Sequence, residues 1–233
     1  MLTDRRQAGL LLARRLLEEL PKDSTRAPLE TVVVGLPRGG VPVASQLSAA
    51  LGSPLDILVS KKIGAPGQPE LAIGAVTSDG IVVVDEQLSM YMRAVGSYIE
   101  GEKRRLTELT RDLERRWTEQ AGLKPRVNLA GKRVIVVDDG VATGATAVAA
   151  LRSVALRGAA EIIMAAPVMS LEAYYRLKPE CHLVTTLSTP GDFGSVGQYY
   201  QDFHQVEDSE VIDILRQSRE ALSASSGKSN ISA

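Results

Sequence analysis

Short apolar runs alternate with amphipathic segments along most of the chain. The runs within Thr31–Gly35 and Arg133–Val137 are rich in β-branched residues, which is typical of strands buried on both faces of a parallel sheet. Apolar residues at helical spacing predict a helix over Thr3–Leu20, ended by Pro21. This alternation of strands and helices predicts an α/β fold with a doubly wound, mainly parallel sheet. Ligands of such sheets bind beyond the carboxyl ends of the strands.

The remaining elements follow the same two periodicities. Further helices are predicted at Val41–Leu51, Thr146–Arg157, Leu171–Leu177 and Asp208–Leu222. Further strands are predicted at Leu55–Ser60, Glu161–Pro167 and Cys181–Leu187. Two short strands, Ile73–Val76 and Ile81–Val84, flank a Ser78-Asp79-Gly80 turn and predict a hairpin.

A long polar stretch interrupts this alternation at residues 87–121. We predict a helical insertion with weak points at Gly96 and Gly101, and with one apolar stripe formed by Ile99, Leu106, Leu109, Leu113 and Trp117. Its other face mixes basic and acidic residues, which favours a solvated surface over an RNA-binding stripe. The insertion could cover an active site or form a homodimer face. We predict one domain over residues 1–223 and a Ser-rich, disordered tail at 224–233.

Composition limits the class of protein. The chain has 233 residues, of which 44% are hydrophobic, enough for one α/β domain with its own core. Lys and Arg number 27 against 28 Asp and Glu, and a net charge of -1 disfavours a nucleic-acid partner. The single Cys181 excludes an internal disulfide and fits a reducing compartment. No apolar run approaches the roughly 20 residues of a membrane span, so we expect a cytoplasmic protein without a membrane partner.

The most distinctive chemistry follows the Arg133–Val137 strand. This segment reads Asp138-Asp139-Gly140-Val141-Ala142-Thr143-Gly144-Ala145-Thr146. Its glycines let successive backbone N–H groups point into one concavity, and the start of the next helix adds partial positive charge. These features predict a phosphate cradle. The two carboxylates would repel that phosphate, so they suit ribose hydroxyls or a magnesium ion.

An apolar strand, two acids and a Thr-Gly-x-Thr turn resemble the phosphoribosyl pyrophosphate (PRPP) motif of type I phosphoribosyltransferases. The match is VIVVDDGVATGAT, and the resemblance extends over the core from Thr31 to Phe203. It implies that Asp138 and Asp139 hold the ribose hydroxyls of PRPP and, directly or through water, Mg²⁺. Gly140–Thr146 would wrap the 5-phosphate. Family members acting on hypoxanthine and guanine carry a third Asp, a proposed proton acceptor, where this chain has Ala142, which argues against that mechanism.

Two other strand ends resemble loops of the same family. The turn after Thr31–Gly35 resembles the pyrophosphate loop, in which Arg38 would neutralise the leaving group while Gly39 and Gly40 let amides approach it. The loop after the second strand resembles the flexible lid that closes over PRPP and excludes water. Lys61 and Lys62 would lie at that strand end and face the same crevice. The alternatives are a solvated arginine and a solvated loop.

Aromatic residues concentrate near the C-terminus, although they make up only 4% of the chain. The resemblance places a small hood there, at about residues 188–207, which would bind the nucleophile. Phe193, Tyr199 or Tyr200 could stack on a planar base, and Asp202 could bind its edge. The alternative is a satellite cluster that packs the last helix onto the sheet.

The resemblance implies a Mg-dependent enzyme of nucleotide metabolism. It would transfer the 5-phosphoribosyl group of PRPP to a nitrogen nucleophile and release pyrophosphate, a pentosyl transfer of the glycosyltransferase class. A purine or pyrimidine base is the expected nucleophile, and another amine stays open. The alternative is a regulator with the same fold that senses PRPP or a nucleotide. A PRPP synthetase would need an ATP site and a longer chain.

Overall fold

The computed structural model describes residues 1–20, 29–94, 96–123 and 126–228. Part of the predicted disordered tail, residues 229–233, lies outside these ranges. The last helix reaches Lys228, so its predicted end at Leu222 is too early. No glycine or proline occurs between positions 208 and 226 to end the helix sooner.

Eight strands and seven α-helices make up the described chain. The strands are β1 (Thr31–Gly35), β2 (Leu55–Ile57), β3 (Ser60–Ala65), β4 (Gln68–Thr77), β5 (Val82–Val84), β6 (Arg133–Val137), β7 (Glu161–Val168) and β8 (Leu183–Ser188). The helices are α1 (Arg5–Glu19), α2 (Gly40–Leu51), α3 (Glu86–Tyr91), α4 (Gly96–Gln120), α5 (Ala145–Leu156), α6 (Leu171–Leu177) and α7 (Asp208–Lys228). Within the described ranges, none of these helices combines the length and the apolarity of a bilayer span.

Five parallel strands form the central sheet, in the order β2-β1-β6-β7-β8. β1 and β6 are neighbours, with Gly35 opposite Val137 at their carboxyl ends. The loops that follow these two strands therefore leave the sheet side by side. The predicted doubly wound α/β sheet is confirmed.

Helices cover both faces of this sheet. Successive side chains of a strand point to opposite faces, and in these strands both sets of side chains are apolar. On β6, Val134 and Val136 pack in the core layer that contains α5. Ile135 and Val137 pack in the opposite layer, with apolar residues of α1, α2 and α7. Side chains buried on both faces hold the strand ends in fixed positions.

A separate antiparallel sheet, β3-β4-β5, replaces the flexible loop predicted after the second strand. Lys62 pairs with Ala75 across β3 and β4, and Gly67 adopts a positive φ in the turn between them. The glycines and prolines that predicted a loop are accommodated by a bulge, since a Cβ on Gly64 would lie 2.6 Å from the Pro69 carbonyl oxygen. The predicted hairpin between β4 and β5 is confirmed.

The insertion covers the antiparallel sheet. Leu106 of α4 packs with Ile63 and Val76, and Trp117 enters the core layer of α2 and α7. The predicted stripe is wrong at Leu109, which is 40% exposed. Thr110 takes the inner position, because its hydroxyl donates to the Leu106 carbonyl at 2.8 Å and leaves its methyl group to pack. The homodimer face stays a prediction.

Candidate functional site

The loops after β1 and β6 meet at the carboxyl edge of the parallel sheet. The Leu36 N–H donates to the Val137 carbonyl oxygen at 2.8 Å. A Cβ on Gly39 would lie 1.9 Å from Asp139 Oδ2, and one on Gly40 would lie 2.6 Å from the Val137 carbonyl oxygen. Only glycine fits at these two positions. The structure thus brings the two predicted glycines against the predicted acids.

Asp139 forms an ion pair with a residue from the first helix. Arg5 Nε lies 2.7 Å from Asp139 Oδ2, and the two side chains are 9% and 13% exposed. Arg5 Nη1 donates to the His204 carbonyl at 2.8 Å, and its guanidinium carbon lies 3.9 Å from the centre of the Phe203 ring. The Tyr200 hydroxyl donates to the Asp139 carbonyl at 2.6 Å. Helix α1 and the hood segment therefore both support the second acid.

Burial dominates the electrostatics of the acidic pair. Burial, and then the charge of Asp139, raise the pKa of Asp138 well above its usual range. Burial also raises the pKa of Asp139, while Arg5 acts to lower it. Burial raises the pKa of Tyr200 as well, so its phenol stays protonated and donates. A pair held out of water in this way gains from a ligand that brings hydroxyl donors or positive charge.

Three successive carbonyls of the glycine turn are held from behind by one segment. Ser170 N–H donates to the Val141 carbonyl at 2.9 Å, Ser170 Oγ donates to the Ala142 carbonyl, and Arg176 Nη1 donates to the Thr143 carbonyl at 3.3 Å. In a trans peptide the following N–H points opposite to the carbonyl. The N–H groups that follow these carbonyls therefore point to the other side of the turn, away from the supporting segment.

The turn leads directly into the N-terminus of α5. Gly144 is its N-cap residue and has φ +78, a left-handed conformation that favours glycine. The first N–H groups of a helix lack intrahelical partners and lie at the positive end of the helix dipole. Thr143 is exposed and Thr146 is half-buried, so their hydroxyls add donors. This combination is suited to a phosphate group.

Arg38, the cation predicted to face the leaving group, lies in the loop after β1. Arg38 follows a cis peptide bond from Pro37 and is 40% exposed. Its Nη1 donates to the Val206 carbonyl at 3.1 Å and lies 3.7 Å from an Asp208 carboxylate oxygen, so Arg38 contacts the start of α7. A role on a leaving group stays a prediction for this residue.

Lys61 and Lys62 are adjacent and exposed on β3. They belong to the antiparallel sheet, so their predicted position at the end of a parallel strand is wrong. The chain leaves the parallel sheet after Ile57, earlier than the predicted strand end. Their contribution to catalysis stays a prediction.

The aromatic residues of the hood segment pack against the N-terminal residues of the chain rather than against the C-terminal helix. Phe193 and Tyr199 are half-buried, with ring centres 5.4 Å apart, in a cluster that includes Ala8 of α1. Tyr200 is only 5% exposed, so its ring is covered and it supports Asp139 instead of offering a stacking face. Leu2 N–H donates to the Tyr199 carbonyl at 2.8 Å, and this pairing orders the segment.

Asp202 and Gly140 complete the predicted set. Asp202 is exposed and accepts from the backbone N–H of His204 at 3.1 Å, and these contacts lower the pKa of its carboxyl. A Cβ on Gly140 would lie 2.4 Å from Val196 Cγ1, so the hood rests directly on the glycine turn. Base binding by Phe193, Tyr199 and Asp202 stays a prediction.

Arg5, Ser170 and Arg176 are site residues that sequence reasoning missed. Ser170 carries a readable signal, since a serine before a helix is a frequent N-cap, and here Ala173 N–H donates to its Oγ at 2.9 Å. Arg5 and Arg176 lie on helices, where an arginine is most often solvated. Their partners are distant in the sequence, so no local pattern identifies them.

A divalent cation at this site would take its protein oxygen ligands from the acidic pair. Within the described ranges, no cluster of three or more His, Cys, Asp or Glu residues is arranged to hold a metal. Asp138 and Oδ1 of Asp139 remain, because Oδ2 of Asp139 is engaged by Arg5. Mg²⁺ commonly takes one or two carboxylates together with substrate phosphates. The donor set therefore fits a magnesium ion shared with a phosphorylated ligand.

Comparison with known proteins identifies similar sequences over nearly the whole chain. A family model described as "Phosphoribosyl transferase domain" matches residues 4–203. A protein of Mycobacterium tuberculosis strain CDC 1551, provisionally named a phosphoribosyl transferase, is 39% identical over 213 residues. That match covers 91% of this chain and 46% of the relative, and a protein of strain H37Rv matches equally. The chain thus spans about half the length of the curated relatives it matches.

Solved structures show the same fold. The crystal structure of TT1426 from Thermus thermophilus has 42% sequence identity and a TM-score of 0.75, and the match covers 93% of this chain and 99% of that chain. AQ2163 from Aquifex aeolicus, at 12% identity and a TM-score of 0.50, covers 83% of this chain and 78% of its own and is similar in fold alone.

Proposed function

Because this chain belongs to the phosphoribosyl transferase family, we propose that it transfers the 5-phosphoribosyl group of PRPP to a nitrogen nucleophile and releases pyrophosphate. The observation that carries this proposal is the continuity of the site. A half-buried acidic pair, Asp138 and Asp139, runs directly into a turn in which the three N–H groups of residues 142–144 point away from the segment that holds the carbonyls before them. One segment thus offers acceptors for ribose hydroxyls and donors for the 5-phosphate.

The proposed chemistry is substitution at C1 of the ribose. The bond from C1 to the pyrophosphate oxygen breaks with its electron pair leaving on pyrophosphate, and the nucleophile nitrogen bonds to C1. Positive charge develops on the ribose ring, and the carboxylates of Asp138 and Asp139 stabilise it. The turn from Gly140 to Thr146 holds the 5-phosphate and fixes the orientation of C1.

Magnesium, when bound with PRPP, would neutralise charge on the leaving pyrophosphate, and Asp138 with Oδ1 of Asp139 are the residues that would hold it. Arg38 is the proposed protein cation for the leaving group. Gly39 and Gly40 let the loop between β1 and α2 pack against the acidic pair, so its backbone can approach a ligand closely.

The proposed nucleophile is a purine or pyrimidine base bound under the hood. The paired rings of Phe193 and Tyr199 are the candidate stacking surface. Ala142 supplies no carboxylate at the position where hypoxanthine–guanine enzymes have a proton acceptor. The substrate is therefore a base or amine whose proton is accepted elsewhere.

Pyrophosphate release from PRPP and Mg²⁺, measured across a panel of nucleobases and simple amines, tests this proposal. We expect release with at least one nucleophile, and its loss in the Asp138→Asn/Asp139→Asn variant. Asp112→Asn/Asp213→Asn, which changes two exposed helical acids, is the matched control and retains activity.

Calorimetry with PRPP separates the remaining outcomes. Tight PRPP binding without release would support a sensor of PRPP in place of an enzyme. Binding by the acidic-pair variant that equals the wild type would contradict the assignment of this site.

A further inference from the structure

The proposed reaction does not by itself explain why Asp139 is paired with a buried arginine. Arg5 comes from the first turn of α1, and Asp139 from the end of β6. We propose that Arg5 is a positioning residue for PRPP: it fixes one oxygen of Asp139 so that the other is presented to the ribose. This inference rests on the proposed function, because it assumes that the acidic pair receives the ribose.

Asp139 is restricted from three directions. Arg5 Nε contacts its Oδ2 at 2.7 Å, and the Tyr200 hydroxyl contacts its backbone carbonyl at 2.6 Å. The loop carrying Gly39 packs so closely that a Cβ there would lie 1.9 Å from Oδ2 and 3.0 Å from Oδ1. A carboxylate restricted in this way keeps one orientation before the ligand arrives, and preorganisation of this kind lowers the cost of binding.

Arg5 is itself held by the C-terminal part of the hood. Its Nη1 donates to the His204 carbonyl at 2.8 Å, and its guanidinium lies over the Phe203 ring at 3.9 Å. Backbone hydrogen bonds join the N-terminus to the same segment, from Leu2 N–H to the Tyr199 carbonyl and from Gln201 N–H to the Leu2 carbonyl, each 2.8 Å. The guanidinium therefore has little freedom to follow Asp139 elsewhere.

The positive charge of Arg5 has a second effect on PRPP binding. PRPP is a polyanion, and two ionised carboxylates beside it would repel its phosphates. The guanidinium adds one positive charge beside the acidic pair, and Oδ1 of Asp139 takes no part in that ion pair. We therefore expect Arg5 to affect PRPP binding more than nucleophile binding.

The variants Arg5→Gln and Arg5→Lys test this role, with Arg6→Gln as the matched control on the exposed side of the same turn. Arg5→Gln is expected to weaken PRPP binding, measured by calorimetry, by about tenfold or more. Arg5→Lys keeps the charge but not the planar fork that also reaches the His204 carbonyl, so an intermediate affinity is expected. Arg6→Gln binds PRPP as the wild type does.

Ligands that share only part of PRPP distinguish positioning from general damage. In Arg5→Gln, ribose 5-phosphate binding should fall more than inorganic pyrophosphate binding, because pyrophosphate loses only the favourable charge of Arg5, whereas ribose 5-phosphate also loses the oriented Asp139 carboxylate. The KM for PRPP should rise while the KM for the nucleophile stays constant. Equal weakening of both partial ligands, or failure of Arg5→Lys to recover any affinity, would overturn the positioning role.

Failure of this inference is distinguishable from failure of the proposed function. A wild-type protein that binds no PRPP contradicts the proposed function itself. A wild-type protein that binds PRPP, with Arg5→Gln binding it equally well, contradicts only the role of Arg5. Circular dichroism of each variant verifies that it is folded.

Discussion

Individual glycines set how closely the parts of the site approach one another. A Cβ on Gly39 would overlap the Asp139 carboxylate. A Cβ on Gly9, in the second turn of α1, would lie 2.7 Å from the Val43 carbonyl oxygen of α2. Gly9 therefore lets α1 pack tightly on α2, and it lies one turn beyond Arg5, which faces the acidic pair. The site therefore depends on the absence of a side chain at these glycines as well as on its charged residues.

Gly39→Ala should disturb the acidic pair directly. The new methyl group displaces the Asp139 carboxylate and strains its ion pair with Arg5. We expect PRPP affinity to fall by about tenfold or more, and the free energy of unfolding by about 1–3 kcal/mol. Calorimetry and urea unfolding measure the two effects.

Gly101→Ala is the control for this substitution. A Cβ at Gly101 of α4 meets no atom within 4 Å. This variant should gain about 0.5–1 kcal/mol, because alanine favours a helix more than glycine does, and it should bind PRPP normally. A Gly39→Ala protein with unchanged affinity would refute the close contact.

Between elements, one ion-pair network joins the insertion to the parallel sheet. Arg126 Nε lies 2.9 Å from an Asp56 carboxylate oxygen on β2, and its Nη1 pairs with Glu114 of α4. Glu114 also accepts from the Val59 N–H at 2.8 Å and from the Ser78 hydroxyl. The end of β2, helix α4 and the β4–β5 turn are thereby held together.

Arg126→Met should destabilise the protein strongly. It leaves the side chains of Asp56 and Glu114, which are 2% and 13% exposed, without their cation. We expect a loss of about 3–5 kcal/mol in the free energy of unfolding, measured in urea. Arg105→Met, which removes an exposed pair with Glu102, should change it by less than about 0.5 kcal/mol. A loss in Arg126→Met as small as the one expected for Arg105→Met would show that the network contributes little to stability.

Across the whole molecule, the two ends of the chain close the candidate site. The N-terminal segment pairs with residues of the hood, and α7 packs with α2 in the same core layer. Ligand binding at the acidic pair should therefore stabilise the complete fold. The single tryptophan, Trp117, is 4% exposed and reports unfolding by fluorescence.

PRPP with Mg²⁺ should raise the melting temperature. A ligand at 100 times its Kd adds about 2.7 kcal/mol to the free energy of unfolding, or about 5–11 °C for a chain of this size. Removal of Mg²⁺ with EDTA should reduce the shift, because phosphate charge is then left beside the carboxylates. The Asp138→Asn variant should show no shift, and an equal shift in that variant would place PRPP elsewhere.

Much of the architecture follows from local pattern. The predicted bounds of β1, β6 and α6 agree with the structure, because each is a short apolar or amphipathic run between clear breakers. The β3–β4 hairpin was not predictable in the same way. Its glycines and prolines have the composition of a loop, and only pairing across the bulge at Gly64 makes them a sheet.

The sequence by itself determined the parallel sheet, the two adjacent acids and the glycine turn, since strand burial and turn geometry depend on neighbouring residues. The tertiary structure alone decided which groups surround those acids. Arg5 and Asp139 are 134 positions apart, and the covering of Tyr200 depends on the N-terminal segment beside it. Charge pairing and burial depend on distance in space, which sequence spacing does not encode for contacts of this range.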